Sequence, residues 1–276
     1  MSFSELNKKL KMVDPSFAQI IRKIPVRDKS EPSPYWLHSE LLERYKIVSK
    51  INTHTGMNVL EIGCGPHALS TIVLAHSIRP NGRILAVDQA RWTFVEELLT
   101  LTDLNPFVLP LKIDATNLPV PYKSFDLSVI IHGIRSMGGD KTLRIILQEM
   151  LRVSSRIFIA ESLPIAKTNA QEAHLEMYNL REEIFEAIAG RKDDRHYRPL
   201  SHLVEIVELA GGENITSEII DVDMPHFLAT LPRGYLDKIP EKTKKAELVE
   251  KWEIAFQKIM KHGEEHPPVG LVQAAT

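Results

Sequence analysis

Asn58-Val59-Leu60-Glu61-Ile62-Gly63-Cys64-Gly65-Pro66-His67 is the stretch on which the fold turns. A short apolar run carrying one carboxylate passes through two glycines into a helical pattern that begins near Ala68. A strand, a Gly-rich turn and a helix form the unit with which α/β folds hold nucleotide-like ligands. Glycine permits the sharp turn and lets the ligand come close to the backbone.

Downstream the same alternation repeats. Arg83 to Asp88, Phe107 to Ile113, Phe125 to Ile131 and Arg156 to Glu161 read as strands. Between them lie helical stretches at 68–76 and 91–101, and a further helix capped by Asp140. In that helix Leu143, Ile146, Leu147, Met150 and Leu151 repeat at helical spacing along one face. Asn169 with Glu172 resembles a capping box opening a long helix that stops near Gly190. A helix over 200–210 closed by Gly211-Gly212, a strand over 215–222, a charged helical region at 233–262 and a last strand at 268–272 complete the chain. Upstream, Asp14-Pro15-Ser16 starts a helix through Ile24, Pro32 and Pro34 break the pattern, and a second helix runs from Trp36 to Ile51. Nearly unbroken apolar strands alternating with amphipathic helices predict a doubly wound, Rossmann-like α/β sheet covered on both faces. Residues 1–52 form an N-terminal helical cap on a domain spanning 53–276.

Composition narrows the function. The 276 residues are 43% hydrophobic and 25% charged, with a formal net charge of -2. No basic field marks nucleic acid as a partner, and no segment is apolar over the length of a membrane span. The single cysteine, Cys64, rules out an internal disulfide and fits a reducing, cytoplasmic setting.

Ligands of open parallel sheets bind beyond the carboxyl ends of the strands. Four successive strands here end in polar groups, Glu61, Asp88, Asp114 and His132, which should gather on one edge. Asp88 follows the glycine turn by about 20 residues, the spacing of a carboxylate that binds a ribose diol. Glu61 would repel a phosphate and favour a ligand carrying ammonium and sulfonium groups. That separates S-adenosylmethionine from NAD, whose pyrophosphate prefers an acid-free turn.

Together these motifs resemble the class I S-adenosylmethionine-dependent methyltransferases. Val59 to Pro66 is similar to their first motif and Val87-Asp88 to their second. Asp114-Ala115-Thr116-Asn117-Leu118-Pro119, Ser124-Phe125-Asp126 and Glu149-Met150-Leu151-Arg152-Val153 resemble the ubiquinone/menaquinone-methylase-like branch. The resemblance covers about residues 55–223. It implies a seven-stranded sheet of order 3-2-1-4-5-7-6 with the last strand antiparallel, which makes 224–266 a helical insertion. It also implies S-adenosylmethionine as cofactor. Glu61 would stand at its turn, with Gly63, Cys64 and Gly65 passing the methionine end. Asp88 would hold the ribose, Gln89 and Ala115 would lie beside the adenine, and Asp114 would accept from its amino group. Ile131 and His132 would line the sulfonium region. His67 stands where the family has its third glycine, and the Asn-Pro-Pro-aromatic motif of base amino methylases is absent.

Several residues carry rival readings. His132 is a general base or substrate ligand, or a neutral histidine satisfied at a strand end. Glu161 binds a cationic acceptor or pairs with Arg135. Tyr35 and Trp36 close over a sulfonium or serve as packing anchors. Arg191 to Arg198 is a solvated loop or a substrate contact. The eleven histidines show no local metal-ligand spacing, so no metal is expected. The expected activity is methyl transfer to a small or medium-sized acceptor, a protein or RNA acceptor staying open. The rivals are an NAD(P)-dependent oxidoreductase, since Gly63 to Ala68 fits G-x-G-x-x-A, and a non-catalytic S-adenosylmethionine-binding module.

Overall fold

The computed structural model describes residues 3–26, 35–89, 94–192, 195–225 and 233–275. The expected breaks at Pro32 and Pro34, the start of the helix placed from Arg91, and Asp193-Asp194 lie outside these. Seven strands, β1 (Asn58–Ile62), β2 (Arg83–Val87), β3 (Val108–Leu111), β4 (Leu127–Ile131), β5 (Arg156–Ser162), β6 (Glu213–Ile220) and β7 (Val269–Ala275), form one sheet of order β3-β2-β1-β4-β5-β7-β6. The first five are parallel, and β7 runs antiparallel between β5 and β6. Strand order reverses between β1 and β4, which opens a crevice at their carboxyl ends.

Alternate residues of each strand feed opposite layers, as the two-residue period requires. Val59 of β1 and Phe158 and Ala160 of β5 join one core; Leu60, Ile62, Ile157 and Ile159 join the other. Helices α1 (Phe3–Leu10), α2 (Pro15–Lys23), α3 (Trp36–Val48), α4 (Leu69–Ile78) and α5 (Val95–Leu101) cover the first face. Helices α6 (Asp140–Val153) and α8 (Leu200–Ala210) cover the second. A third cluster joins Met177, Tyr178 and Ile184 of α7 (Asn169–Ala189) to Leu248 and Trp252 of α9 (Lys242–His262). The helical N-terminus thus packs into the main core.

Helix starts follow capping chemistry with two corrections. Asp14 accepts from the Ser16 backbone N–H at 2.6 Å and Pro15 occupies the first turn, as the sequence predicts. Asp140 is instead the first helical residue of α6, behind Gly139. Its carboxylate meets Arg198 at 3.4 Å and His202 at 3.2 Å, which ties α6 to α8. The capping box of α7 sits one residue earlier than Asn169. Thr168 accepts from the Gln171 N–H at 3.1 Å, and the Gln171 side chain accepts from the Lys167 N–H at 2.8 Å. The threonine hydroxyl reaches the helix's exposed amide first, leaving Asn169 inside the turn. β7 also runs three residues past the expected end. Gln273, Ala274 and Ala275 have little strand propensity, but pairing on both sides holds them extended.

Candidate functional site

At the crevice a cleft of about 570 Å3 opens. Of the residues expected to touch a cofactor, Gly63, Gly65, Asp88, Gln89, Asp114, Ala115 and His132 line it. Gly63 and Gly65 have φ of +77° and +71°, the left-handed region open to glycine. Gly63 also carries a close approach, since a Cβ there would sit 2.9 Å from Met137 Cε. The Gly63 N–H donates to Val87 O at 2.7 Å, and the Gly65 N–H donates to Asp88 Oδ2 at 2.7 Å. The turn is therefore clasped to the end of β2, and the clasp fixes one oxygen of Asp88. Asp114 is held in the same manner: the backbone N–H and hydroxyl of Thr116 both donate to its Oδ1, at 2.9 and 2.8 Å. Those bonds keep its carboxyl below the usual range.

Glu61, Cys64 and Ile131 are not among the cleft-lining residues. Glu61 lies on the other face of β1. Ser70 and Thr71 of α4 donate their hydroxyls to its two oxygens, and it is 1% exposed. Burial pushes its pKa up to about 7, against the pull of those two hydroxyls. A group half-neutral at neutral pH and turned into α4 does not select a ligand by charge, so the expected contact is corrected. Negative potential in the cleft comes from Asp88 and Asp114. The Cys64 thiol is buried and its pKa is raised, chiefly by that burial. Ile131 packs into the first core.

Beyond the cleft the strand tips enter a buried polar network. His132 ends β4 with φ of +54°, a strained conformation for a side-chain-bearing residue. Its Nε2 lies 2.7 Å from Glu43 Oε1 of α3, and its Nδ1 lies 3.3 Å from both Glu161 Oε1 and Ser162 Oγ. Burial, helped by the nearby Arg44, lowers its pKa to about 4 despite the carboxylates. The ring is therefore neutral, with Nε2 against Glu43 and Nδ1 against Glu161 and the Ser162 hydroxyl. Burial would raise the Glu161 pKa, but Arg135 at 3.1 Å overrides it and holds the group at about 2. The Glu161–Arg135 pair is thus the arrangement found, of the two the sequence left open. Arg135 lies over the rings of Tyr178 (5.6 Å) and Tyr197 (5.3 Å), which stack on each other at 4.1 Å. Tyr197 and Arg198 are buried, so this end of the charged 191–198 stretch is not a solvated loop.

Tyr35 and Trp36 pack rather than line the cleft. Tyr35 meets His38 edge-on at 5.7 Å. Trp36 meets His67 edge-on at 5.1 Å, and His67 stacks on Phe94 at 5.2 Å. The residue replacing the third glycine is the middle rung of an aromatic ladder tying α3 to the glycine turn.

The sequence reading missed Glu40, Glu43, Arg44, Tyr178 and His266. One signal was present. In α3 the charged Glu40, Glu43 and Arg44 are interleaved with Leu37, Leu41 and Leu42, which leaves no clean polar face. A helix of that kind is enclosed on several sides, and its charges must find partners inside.

The strand order and the antiparallel β7 define the Rossmann-like fold of the class I methyltransferases. The same fold occurs in a cyclopropane-fatty-acyl-phospholipid synthase-like protein from Lactobacillus casei, at 16% identity, with 96% of this chain and 100% of that chain covered and a TM-score of 0.77. It recurs in the 4+2 cyclase SpnF (14% identity, 87% and 80% covered, TM-score 0.53). A candidate methyltransferase of an antibiotic biosynthesis pathway from Anabaena variabilis shares it as well (17% identity, 84% and 96% covered, TM-score 0.51). No protein-family model matches the chain, and no curated protein matches it. Among the described residues no helix is long and apolar enough to cross a membrane.

Proposed function

We propose that the protein is an S-adenosylmethionine-dependent methyltransferase acting on a small or medium-sized acceptor. The observation that carries this reading is the cleft at the β1/β4 switch point. A left-handed glycine turn is clasped there to Asp88, with Asp114 fixed on the next strand end. Asp88 would hold the ribose diol through the carboxylate oriented by Gly65. Gln89, Asp114 and Ala115 would take the adenine, and Gly63 would pass the methionine end. S-adenosylmethionine supplies a methyl group on a sulfonium, ready for in-line displacement. The chain's task is to exclude water and to hold the acceptor in line, and orientation supplies most of the acceleration in such reactions. His132 lines the cleft and is neutral at physiological pH, so its imidazole is available as a proton acceptor there.

The motifs from Asp114 to Val153 favour the ubiquinone/menaquinone-methylase-like branch, and a cytoplasmic setting agrees with the single buried cysteine. SpnF, a cyclase by name, shows that this fold does not by itself dictate methyl transfer. Two measurements therefore test the reading. Calorimetry with S-adenosylhomocysteine should give one site, and NAD(P) should give none. Transfer of labelled methyl from S-adenosylmethionine to a panel of small metabolites should then identify an acceptor. Tight dinucleotide binding without S-adenosylhomocysteine binding overturns the proposal. An intact adenosyl site without turnover favours a binding module.

A further inference from the structure

The polar network next to the cleft brings together a set of metal-ligating donor atoms. One donor atom each from Glu43, His132 and His266 lies within 4.8 Å of the others. They come from α3, the tip of β4 and the segment leading into β7, so no local spacing reveals them. We propose that this set binds one divalent transition-metal ion beside the acceptor end of the cleft.

Four features support the assignment. The donors are two imidazoles and a carboxylate, a set that suits zinc, iron, cobalt or nickel and leaves coordination positions for other ligands. The carboxylates are already oriented. Arg44 holds Oε2 of Glu40 at 3.2 Å and also pairs with Oε2 of Glu43. Oε1 of Glu43 thereby faces His132 at 2.7 Å, and Oε1 of Glu40 faces Nε2 of His266 at 3.6 Å. Glu40 is thus placed beside the set as a further carboxylate. Behind the inner imidazole stand the groups that orient metal-binding histidines elsewhere, since Nδ1 of His132 lies 3.3 Å from both Glu161 Oε1 and Ser162 Oγ. When Nε2 binds the ion the neutral ring carries its N–H at Nδ1, facing Glu161, so a loaded site takes His132 out of the proton-acceptor role. Finally, Glu161 Oε2 is buried with no hydrogen-bond partner among the described residues, which leaves a buried acceptor beside the set.

The site's placement against the acceptor end rests on the methyltransferase reading; its existence does not. The test uses the full chain stripped with a chelator and titrated with Co2+. The expected result is one equivalent bound, visible d–d absorption of a nitrogen- and oxygen-ligated ion, and displacement by Zn2+. His266→Gln and Glu43→Gln should each weaken Co2+ binding at least tenfold, with thermal melting to verify folding. Ser162→Ala touches only the Nδ1 side and is the safeguard should both ligand variants fail to fold; it should weaken binding roughly 10-fold. Absence of d–d bands at stoichiometric Co2+ overturns the assignment. So does unchanged affinity in a folded ligand variant, or in Ser162→Ala if neither ligand variant folds. Calorimetry with S-adenosylhomocysteine on the stripped protein separates the two proposals. Adenosyl binding without metal binding removes only the metal site, and metal binding without adenosyl binding removes only the methyltransferase reading.

Discussion

Replacing Glu61 with glutamine should stabilise the protein at high pH and leave it unchanged at low pH. Glu61 is buried between β1 and α4 with two hydroxyls for company, and its pKa rises from 4.5 to about 7. A carboxyl whose folded pKa lies above its unfolded value contributes stability that is fully present below the unfolded pKa. That contribution is lost as pH rises through the folded one. The separation is about 2.5 pH units, and at about 1.36 kcal/mol per unit the ionised form costs the native state about 3 kcal/mol above pH 8. Glutamine has nearly the same shape and never ionises. One hydroxyl can donate to its carbonyl while the other accepts from its amide, so the pair stays satisfied. Urea unfolding of both proteins at about pH 5 and about pH 8.5 isolates this contribution, because every other titrating group is common to the two. The gap between them should grow by about 3 kcal/mol between the two conditions. A gap that does not change with pH refutes the account of Glu61, and with it the claim that this acid is a structural group outside the ligand's reach.

Asp88→Ala should weaken S-adenosylhomocysteine binding at least tenfold, about 1.4 kcal/mol, by calorimetry; an unchanged dissociation constant refutes the ribose assignment. Gly63→Ala places a Cβ at φ of +77° and should cost about 1–2 kcal/mol in unfolding free energy, since the facing Met137 methyl can move but the backbone cannot relax. His132 and His266 are both depressed to about 4, chiefly by burial. In chelator-treated protein their stabilisation is whole above about pH 6.5 and is lost as pH falls toward 4, so on the Glu61→Gln background stability should drop by up to about 3 kcal/mol per pH unit. A flat profile in that window would show that the two rings are solvated. Arg135→Met should destabilise by about 3–5 kcal/mol because it strands Glu161. Adding Glu161→Gln should restore most of the loss, as a double-mutant cycle would show.

What could be read in the chain follows from how far each signal reaches. The strand–turn–helix at Asn58 to His67, the strand-end acids and the apolar face of α6 are local patterns with fixed periods, and the sheet order with antiparallel β7 agrees with the family they resemble. Asp88 and Asp114 were legible because a carboxylate at a strand tip has few other places to go. Glu61 was misread because the next strand position faces the opposite layer. Neighbours in sequence, Glu61 and Ile62, therefore meet different surroundings, and only Ile62 reaches the cleft. Glu43 and His266 were invisible for a different cause. Their partners stand 89 and 226 positions away, as His132 for one and Glu40 for the other, and no periodicity links such distances.

The aromatic ladder has a practical consequence for anyone trimming this protein to a minimal Rossmann unit. A fragment beginning at residue 53 would lose Trp36, and with it the edge-on neighbour of the His67 ring. It would also bare the α4 surface that α3 covers, where Ile72 and Val73 belong to the same core as Leu37 and Leu41. Such a piece would carry every glycine and acid named at the cleft and still present a greasy flank to water, with clumping in the test tube as the foreseeable outcome.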